Sequence, residues 1–452
     1  MTTGGGIEAK RPSFIVSLHN VMERYVQRHS KTLARHQTFV SQPCLDMYFS
    51  YTSVLGSHTF FMLFLPLMYL IVDQKFGRVL ILSSALAVIF AAMLKDYVCV
   101  QRPLSPPVRR IVVGTHHLEY GFPSTHSANS MTMAIVVYYF VQQFRPLLHI
   151  QVLSEIIHGS SLWVQLANSY MFEILLSLYV FSIVYGRLYL GMHTVLDCVT
   201  GMLIGALSAG ISIFSDNLLL SYLNWGTVFV PLSLFVVGYL ILALHPIPIQ
   251  PCPCYEDVVC FIGAFVGVAM GNWRTNNFYY ADMHQLDALW RWVITGVSPG
   301  WQYRSRMMWT IAVVHRPAVR LCVASAFAIV PLVLWKIVAT PIVKTSVPAM
   351  YRVLMPQSSR EPKLDVPQDQ AVASTSAVPP ASELRHRMAA VPKPGSQIDS
   401  LSLERKMPSR TTELFCQDLP RLIVYTGIGF IGASFSHYLI EYFAVQPIHS
   451  VQ

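Results

Sequence analysis

Long stretches of this chain, at residues 54–72, 79–94, 198–214, 228–244 and 422–435, run nearly free of charge. Their lengths approach the ~20 residues an α-helix needs to cross a bilayer. In hydrocarbon every backbone amide has to be satisfied within its own segment, so such stretches are read as helices. Composition agrees, with 53% of the 452 residues hydrophobic and 12% charged, against about a quarter charged in soluble domains. The expected fold class is all-α, a polytopic transmembrane helical bundle. The net charge of +9 follows from Lys and Arg collecting in tails and loops, as membrane topology demands. No basic patch with interleaved stacking aromatics occurs, so no nucleic acid is implied.

Residues 1–50 form a basic segment that carries Lys10, Arg11, Arg24, Arg28, Lys31 and Arg35. No apolar run follows the first residues, so no cleaved signal peptide is expected and 54–72 serves as the insertion signal. Between 13 and 31, Phe14, Leu18, Val21, Met22 and Tyr25 recur at helical spacing. They predict an amphipathic helix, either on the membrane surface or packed on the protein. Further apolar segments lie at 170–185, 258–270 and 321–335, with an aromatic-rich interfacial region between the last two. Residues 356–412, polar and Pro/Ser-rich, are expected to be disordered. The last span begins at Leu422 and carries His437 and Glu441 near its end. The eight cysteines form no paired C-x-x-C pattern, and no disulfide framework or metal is expected. Cys252-Pro253-Cys254 reads as a turn.

Charge within the apolar stretches is costly and usually functional. In Arg187-Leu-Tyr-Leu-Gly-Met-His193-Thr-Val-Leu-Asp197, His193 and Asp197 are four apart. On a helix the carboxylate would accept from one ring nitrogen and leave the other free to attack. Arg187 offers a planar donor fork suited to phosphate oxygens. Lys95 and Arg102 are seven apart and would share a face if the helix continued to Pro103. Gly-Phe-Pro-Ser124-Thr125-His126-Ser, ahead of another apolar stretch, marks a helix N-terminus, where free amides favour an anion. Ser124 would at the least cap that helix. Together the three stretches supply cations, neutral donors, two histidines and a carboxylate, the parts of a site that moves a phosphoryl group onto an imidazole.

The order Lys-x6-Arg-Pro, Pro-Ser-Thr-His, Arg-x5-His-x3-Asp resembles the signature of the type 2 phosphatidic acid phosphatase superfamily. These are metal-independent lipid phosphatases related to vanadium haloperoxidases. The motifs cover residues 95–197. The resemblance implies a six-helix phosphatase-like core, placed within a domain at 51–245. Additional membrane and interfacial segments would occupy 246–355, and the last span and tail 413–452. Thr125 stands where many members have Gly, and Gly186 where many have Ser. The context Tyr-Gly-Phe-Pro-Ser-Thr-His-Ser, with the later Pro-Cys-Pro-Cys-Tyr-Glu-Asp, is similar to sphingosine-1-phosphate and long-chain-base-1-phosphate phosphatases in particular.

That resemblance implies roles residue by residue. His193 would be the nucleophile, Asp197 would orient it, and His126 would be the general acid and base. Lys95, Arg102, Ser124, Thr125 and Arg187 would bind phosphate, with no cofactor and no metal. The substrate would be a sphingoid base phosphate, met in an endoplasmic reticulum membrane at a lumenal site. Its ammonium group calls for a carboxylate near the phosphate, for which Asp96 and Glu119 are candidates. A phosphatase for phosphatidate, diacylglycerol pyrophosphate or a polyprenyl diphosphate would use the same site, and a lipid transporter or inactive scaffold is the alternative of a different class.

Overall fold

The computed structural model describes residues 12–111, 119–156, 162–248, 252–294, 317–354 and 414–436. The expected disordered loop at 356–412 lies outside them, as do His437 and Glu441. The helices are α1 (Ser13–Val40), α2 (Pro43–Val54), α3 (His58–Leu67), α4 (Gln74–Val98), α5 (Thr125–Ile156), α6 (Leu162–Tyr189), α7 (Val195–Leu223), α8 (Phe229–Ala243), α9 (Cys254–Ile294), α10 (Pro317–Leu354) and α11 (Leu419–Ile431). A π-helical turn at Met68–Val72 extends α3, and two more flank α11. No strand occurs among the described residues. Among the described residues five helices have stretches long and apolar enough to cross a bilayer, while α3 and α8 are apolar but shorter. That count does not single out a six-helix core.

α4 is the centre of the bundle. Asp73 caps its start, accepting from the Phe76 amide at 2.7 Å. Pro66 sits inside α3, and the π-helical turn then carries the chain to the short connection before α4. Against α4 pack α5, α7 and α9, and its buried side includes Leu80, Val88 and Ala92. α7 behaves differently. Leu203, Leu207, Phe214 and Leu218 stand largely exposed along it, the face of a helix that meets lipid rather than protein. Its other face carries Gly201 and Gly205. A β-carbon there would stand 2.4 Å from the Ser124 carbonyl oxygen and 2.2 Å from that of Ala128. The small-xxx-small pair thus lets the α5 backbone approach closely.

The first long helix packs on the protein. Leu18, Met22 and Val26 join a small core with Val98, Val100 and Phe122, while Phe14 and Val21 remain exposed. Polar contacts extend the clamp. The ring of His19 lies 2.9 Å from the Val98 carbonyl, Glu23 accepts from the Gln101 amide, and Ser30 from the Leu104 amide. Gln37 donates to the carbonyls of Arg109 and Tyr189. α1 therefore holds the segment that follows α4.

Near its start α4 is tied to α7 by a buried pair. Arg78 Nε and Nη2 donate to the two carboxylate oxygens of Asp216 at 2.8 and 3.1 Å. A bidentate pair satisfies both partners, and removing one leaves a buried charge uncompensated. Arg78→Met should cost about 3–5 kcal/mol of stability, read as a lower thermal unfolding midpoint in detergent. The double variant Arg78→Met/Asp216→Leu should recover most of that loss.

Candidate active site

α4 ends one turn sooner than a continuous helix through Arg102 would require. Cys99 adopts a left-handed conformation, φ 55°, and its amide closes on the Lys95 carbonyl. Lys95 and Arg102 are thus brought together by a turn and not by a shared helix face. The Lys95 ammonium, 1% exposed, donates to Glu119 Oε2 at 2.8 Å and to Thr125 Oγ1 at 3.2 Å. Arg102 donates through Nε to the Glu119 carbonyl and through Nη1 to the Met192 carbonyl. Its Nη2 lies 3.6 Å from Glu119 Oε2.

His193 sits in the turn between α6 and α7, 1% exposed. The sequence predicts one helix carrying His193 and Asp197, but α7 begins only at Val195. Thr194 is its N-cap, and Asp197 completes a capping box by accepting from the Thr194 amide at 2.6 Å. Two otherwise unpaired amides are satisfied reciprocally this way, which commits Asp197 Oδ2 to the backbone. The carboxylate oxygen lies 3.9 Å from His193 Nδ1, too far for a hydrogen bond. The Gly121 carbonyl stands 2.7 Å from Nδ1 instead.

A carbonyl can only accept, so Nδ1 carries the proton and donates. Nε2 is left with its lone pair, 3.1 Å from Arg102 Nη1. Burial, and then Arg102, Arg187, Lys95 and His126 in that order, hold the imidazole well below its usual pKa. His193 is neutral, with the unprotonated nitrogen facing cations. Gly191 makes the turn possible. Its φ is 69°, and a β-carbon would meet Val108 at 2.6 Å.

Arg187, at the end of α6, is 3% exposed, and its Nε and Nη2 have no hydrogen-bond partner. Buried guanidinium donors left open are costly. Ser124 caps α5, its Oγ accepting from the Ser127 amide and hydroxyl at 3.4 and 3.0 Å, while its own amide donates to the Asp197 carbonyl. His126 packs against Gly56 and lines a cleft of about 400 Å³ with Glu119, Thr125, Asn129, Asp257 and Phe261 among others. Asn129 Oδ1 is buried there without a partner.

The structure thus gathers Lys95, Arg102 and His193 through direct contacts, with Thr125 on Lys95 and Glu119 on both cations. Asp96 is turned to other partners. Its oxygens lie 2.9 Å from His245 Nε2 and 3.3 Å from Cys254 Sγ. Cys252 and Cys254 form a turn, as predicted, with sulfurs 2.6 Å apart. Sequence reasoning missed the Gly121 carbonyl, Glu119 as the counter-charge of the two cations, and Asp257 in the cleft. The first two depend on a turn packing against distant chain. The third lies in an Asp-containing helix start that reads as ordinary dipole compensation.

Residues 76–217 match the PAP2 superfamily. A dihydrosphingosine 1-phosphate phosphatase of Schizosaccharomyces pombe is 30% identical over 275 residues, 61% of this chain and 63% of that protein. Another from Saccharomyces cerevisiae is 32% identical over 245 residues, 54% of this chain and 55% of that one. The sphingosine-1-phosphate phosphatase 2 of Mus musculus is 28% identical, covering 51% of this chain and 59% of its own. The chain thus spans less than two thirds of the length of these relatives. No solved structure matches it significantly. The segment that carries Lys95, Arg102, His126, Arg187, His193 and Asp197 thus lies within the stretch that is similar to the PAP2 superfamily.

Proposed function

We propose that the protein is a metal-independent lipid phosphatase that hydrolyses sphingoid long-chain-base 1-phosphates through a phosphohistidine. The observation that carries this reading is the buried Arg187 guanidinium with two unpartnered donors, placed near an imidazole whose free Nε2 already faces Arg102. A dianionic phosphate monoester supplies the acceptors these donors lack. The printed names of the relatives, dihydrosphingosine and sphingosine 1-phosphate phosphatases, support the substrate class. An endoplasmic reticulum membrane with the site on the lumenal side belongs to the same proposal and rests on the family resemblance.

In the proposed reaction His193 Nε2 attacks phosphorus, an N–P bond forms and the ester P–O bond breaks. His126 gives the leaving alkoxide its proton. Water, losing a proton to His126, then attacks phosphorus and the N–P bond breaks, restoring the imidazole. Lys95, Arg102 and Arg187 bear the charge that develops on the non-bridging oxygens, with Ser124 and Thr125 at the same helix start. Nδ1–H stays on the Gly121 carbonyl throughout. Asp197 holds the turn through its capping box and stabilises the positive ring from 3.9 Å.

His193→Ala should abolish phosphate release, and His126→Ala should come close. The expected losses are several kcal/mol of transition-state stabilisation, measured on purified protein in detergent. Cations surround the proposed phosphate, while hard metal ions need oxygen ligands. Turnover should therefore persist in EDTA and be blocked by vanadate. A His193→Ala protein that folds and keeps near wild-type turnover would remove the mechanism.

The depressed basicity of His193 also links stability to pH. Its folded pKa lies below the unfolded value of about 6.5, so the unfolded state binds more protons as pH falls. Stability is then present above about 6.5 and is lost as pH drops below it. The thermal midpoint of ligand-free protein should fall as pH is lowered from 7.5 to 5.5, ~2 units spanning the histidine range. The drop should be smaller in His193→Asn.

The Glu119 carboxylate stands beside Lys95 and Arg102, where a phosphate held by those cations would bring a neighbouring ammonium close to it. The ammonium of a sphingoid phosphate lies close to its phosphate, and phosphatidate has no such group. Asp257, in the same cleft, is the second carboxylate within this region. Asp96 already faces His245 and Cys254 and so is the weaker of the two original candidates. Glu119→Gln should raise KM for a long-chain-base phosphate by an amount equivalent to ~1.5–3 kcal/mol and spare an amine-free lipid phosphate. Equal turnover of phosphatidate and long-chain-base phosphate by the unmodified protein would defeat the substrate assignment and leave the phosphatase reading standing.

A further inference from the structure

We infer that the seam between α4 and α9 is the binding site for the single hydrocarbon chain of the substrate, running from the phosphate cradle to an apolar cavity deeper in the bundle. This rests on the lipid phosphatase reading and goes beyond it, because α9 lies outside residues 76–217.

Two cavities carry the inference. One is the cleft beside His126 described above, walled by Val88 and Ala92 of α4 and by Cys254, Asp257 and Phe261 of α9. The other, about 500 Å³, has walls that include Ile81 of α4 and Phe261, Ala264 and Val268 of α9, closed by Tyr69 and Gly432 among others. Phe261 is a wall of both.

Helical periodicity puts both cavities on one face of each helix. Residues 81, 88, 92 and 95 recur at intervals of seven, four and three along α4, a single face. Residues 254, 257, 261, 264 and 268 do the same on α9. The two helices run antiparallel, with Cys254 facing Asp96 beside Lys95 and Val268 sharing a cavity with Ile81. From Lys95 to Ile81 is fourteen residues, as it is from Cys254 to Val268. At about 1.5 Å per residue each track spans about 21 Å.

That length agrees with an independent one. A fully extended eighteen-carbon chain is about as long. A lipid whose phosphate sits at Lys95 therefore has its chain end at the depth of the second cavity. Along the same track the walls change from Glu119, His126 and Asp257 to aliphatic and aromatic side chains, as a headgroup followed by an alkyl chain requires.

Gly432 gives a clean test. A β-carbon there meets nothing closer than Leu332 Cδ2 at 3.6 Å, so Gly432→Leu adds bulk to the cavity without striking backbone. Single-chain lipid phosphates of eight, twelve and eighteen carbons would be compared. In Gly432→Leu the kcat/KM for the eighteen-carbon chain should fall at least about ten-fold, because each excluded methylene is worth ~1–3 kcal/mol in a hydrophobic pocket. The eight-carbon substrate should be unaffected. A loss shared equally by all lengths, or no change at any, would overturn the proposal. Crosslinking unmodified protein with an eighteen-carbon phosphate bearing a terminal diazirine gives a readout that needs no variant. Label on residues 61–70 or 261–268 supports the seam, and label confined to α7 or α8 overturns it. Wild-type protein that releases phosphate from none of these substrates would refute the phosphatase reading itself.

Discussion

Three cations, Lys95, Arg102 and Arg187, are buried within reach of one imidazole, and taking each out of water costs several kcal/mol unless the surroundings offset it. Glu119 offsets two of them, sitting 2.8 Å from the Lys95 ammonium and 3.6 Å from Arg102. Backbone carbonyls of Glu119 and Met192 take further Arg102 donors. Arg187 keeps two donors open, and this residual positive field is what an anionic substrate would relieve. Burial first, and then the same field, keep His193 uncharged, so the group proposed to attack phosphorus is in its nucleophilic form before substrate arrives.

A site of this kind survives only if the loops that carry it are held. Arg102 and Gly121 lie on irregular chain, yet Gly121 donates to the Val100 carbonyl and α1 binds the same segment at Val98, Gln101 and Leu104. The Ser124 amide on the Asp197 carbonyl joins the starts of α5 and α7. Close passage of those two helices over Gly201 and Gly205 makes that joint possible. α1 precedes residues 76–217, so part of the support for the candidate site comes from outside the stretch similar to the superfamily.

The sequence made the helices and the motif residues legible because hydropathy and residue type alone determine them. Uncharged runs became helices, Ser124 became a cap, and Lys95, Arg102 and His193 met. Connections between helices were harder to read. Nothing in the local pattern says that Cys99 takes a left-handed conformation, since that region favours Gly or Asn. The spacing of His193 and Asp197 fits a helical pair, but Thr194-x-x-Asp197 fits a capping box as well, and the box took the carboxylate. The Gly121 carbonyl on Nδ1 joins residues 72 apart in sequence, a contact that no periodicity encodes.

α4 connects these levels because charge marks both of its ends. Arg78 is paired to Asp216 near the start, and Lys95 lies in the proposed phosphate cradle near the finish. They are seventeen positions apart, a rise of about 26 Å, close to the ~30 Å of a bilayer's hydrocarbon core. Moving the helix along its axis would drag one charged cluster into hydrocarbon, so its depth in the membrane is fixed from both sides. Any distance measured along α4 from the cradle is then also a depth. A rigid helix of fixed depth can measure the length of a chain laid against it, whereas a site built on loops alone could position a phosphate but would have no means of sensing what is attached to it.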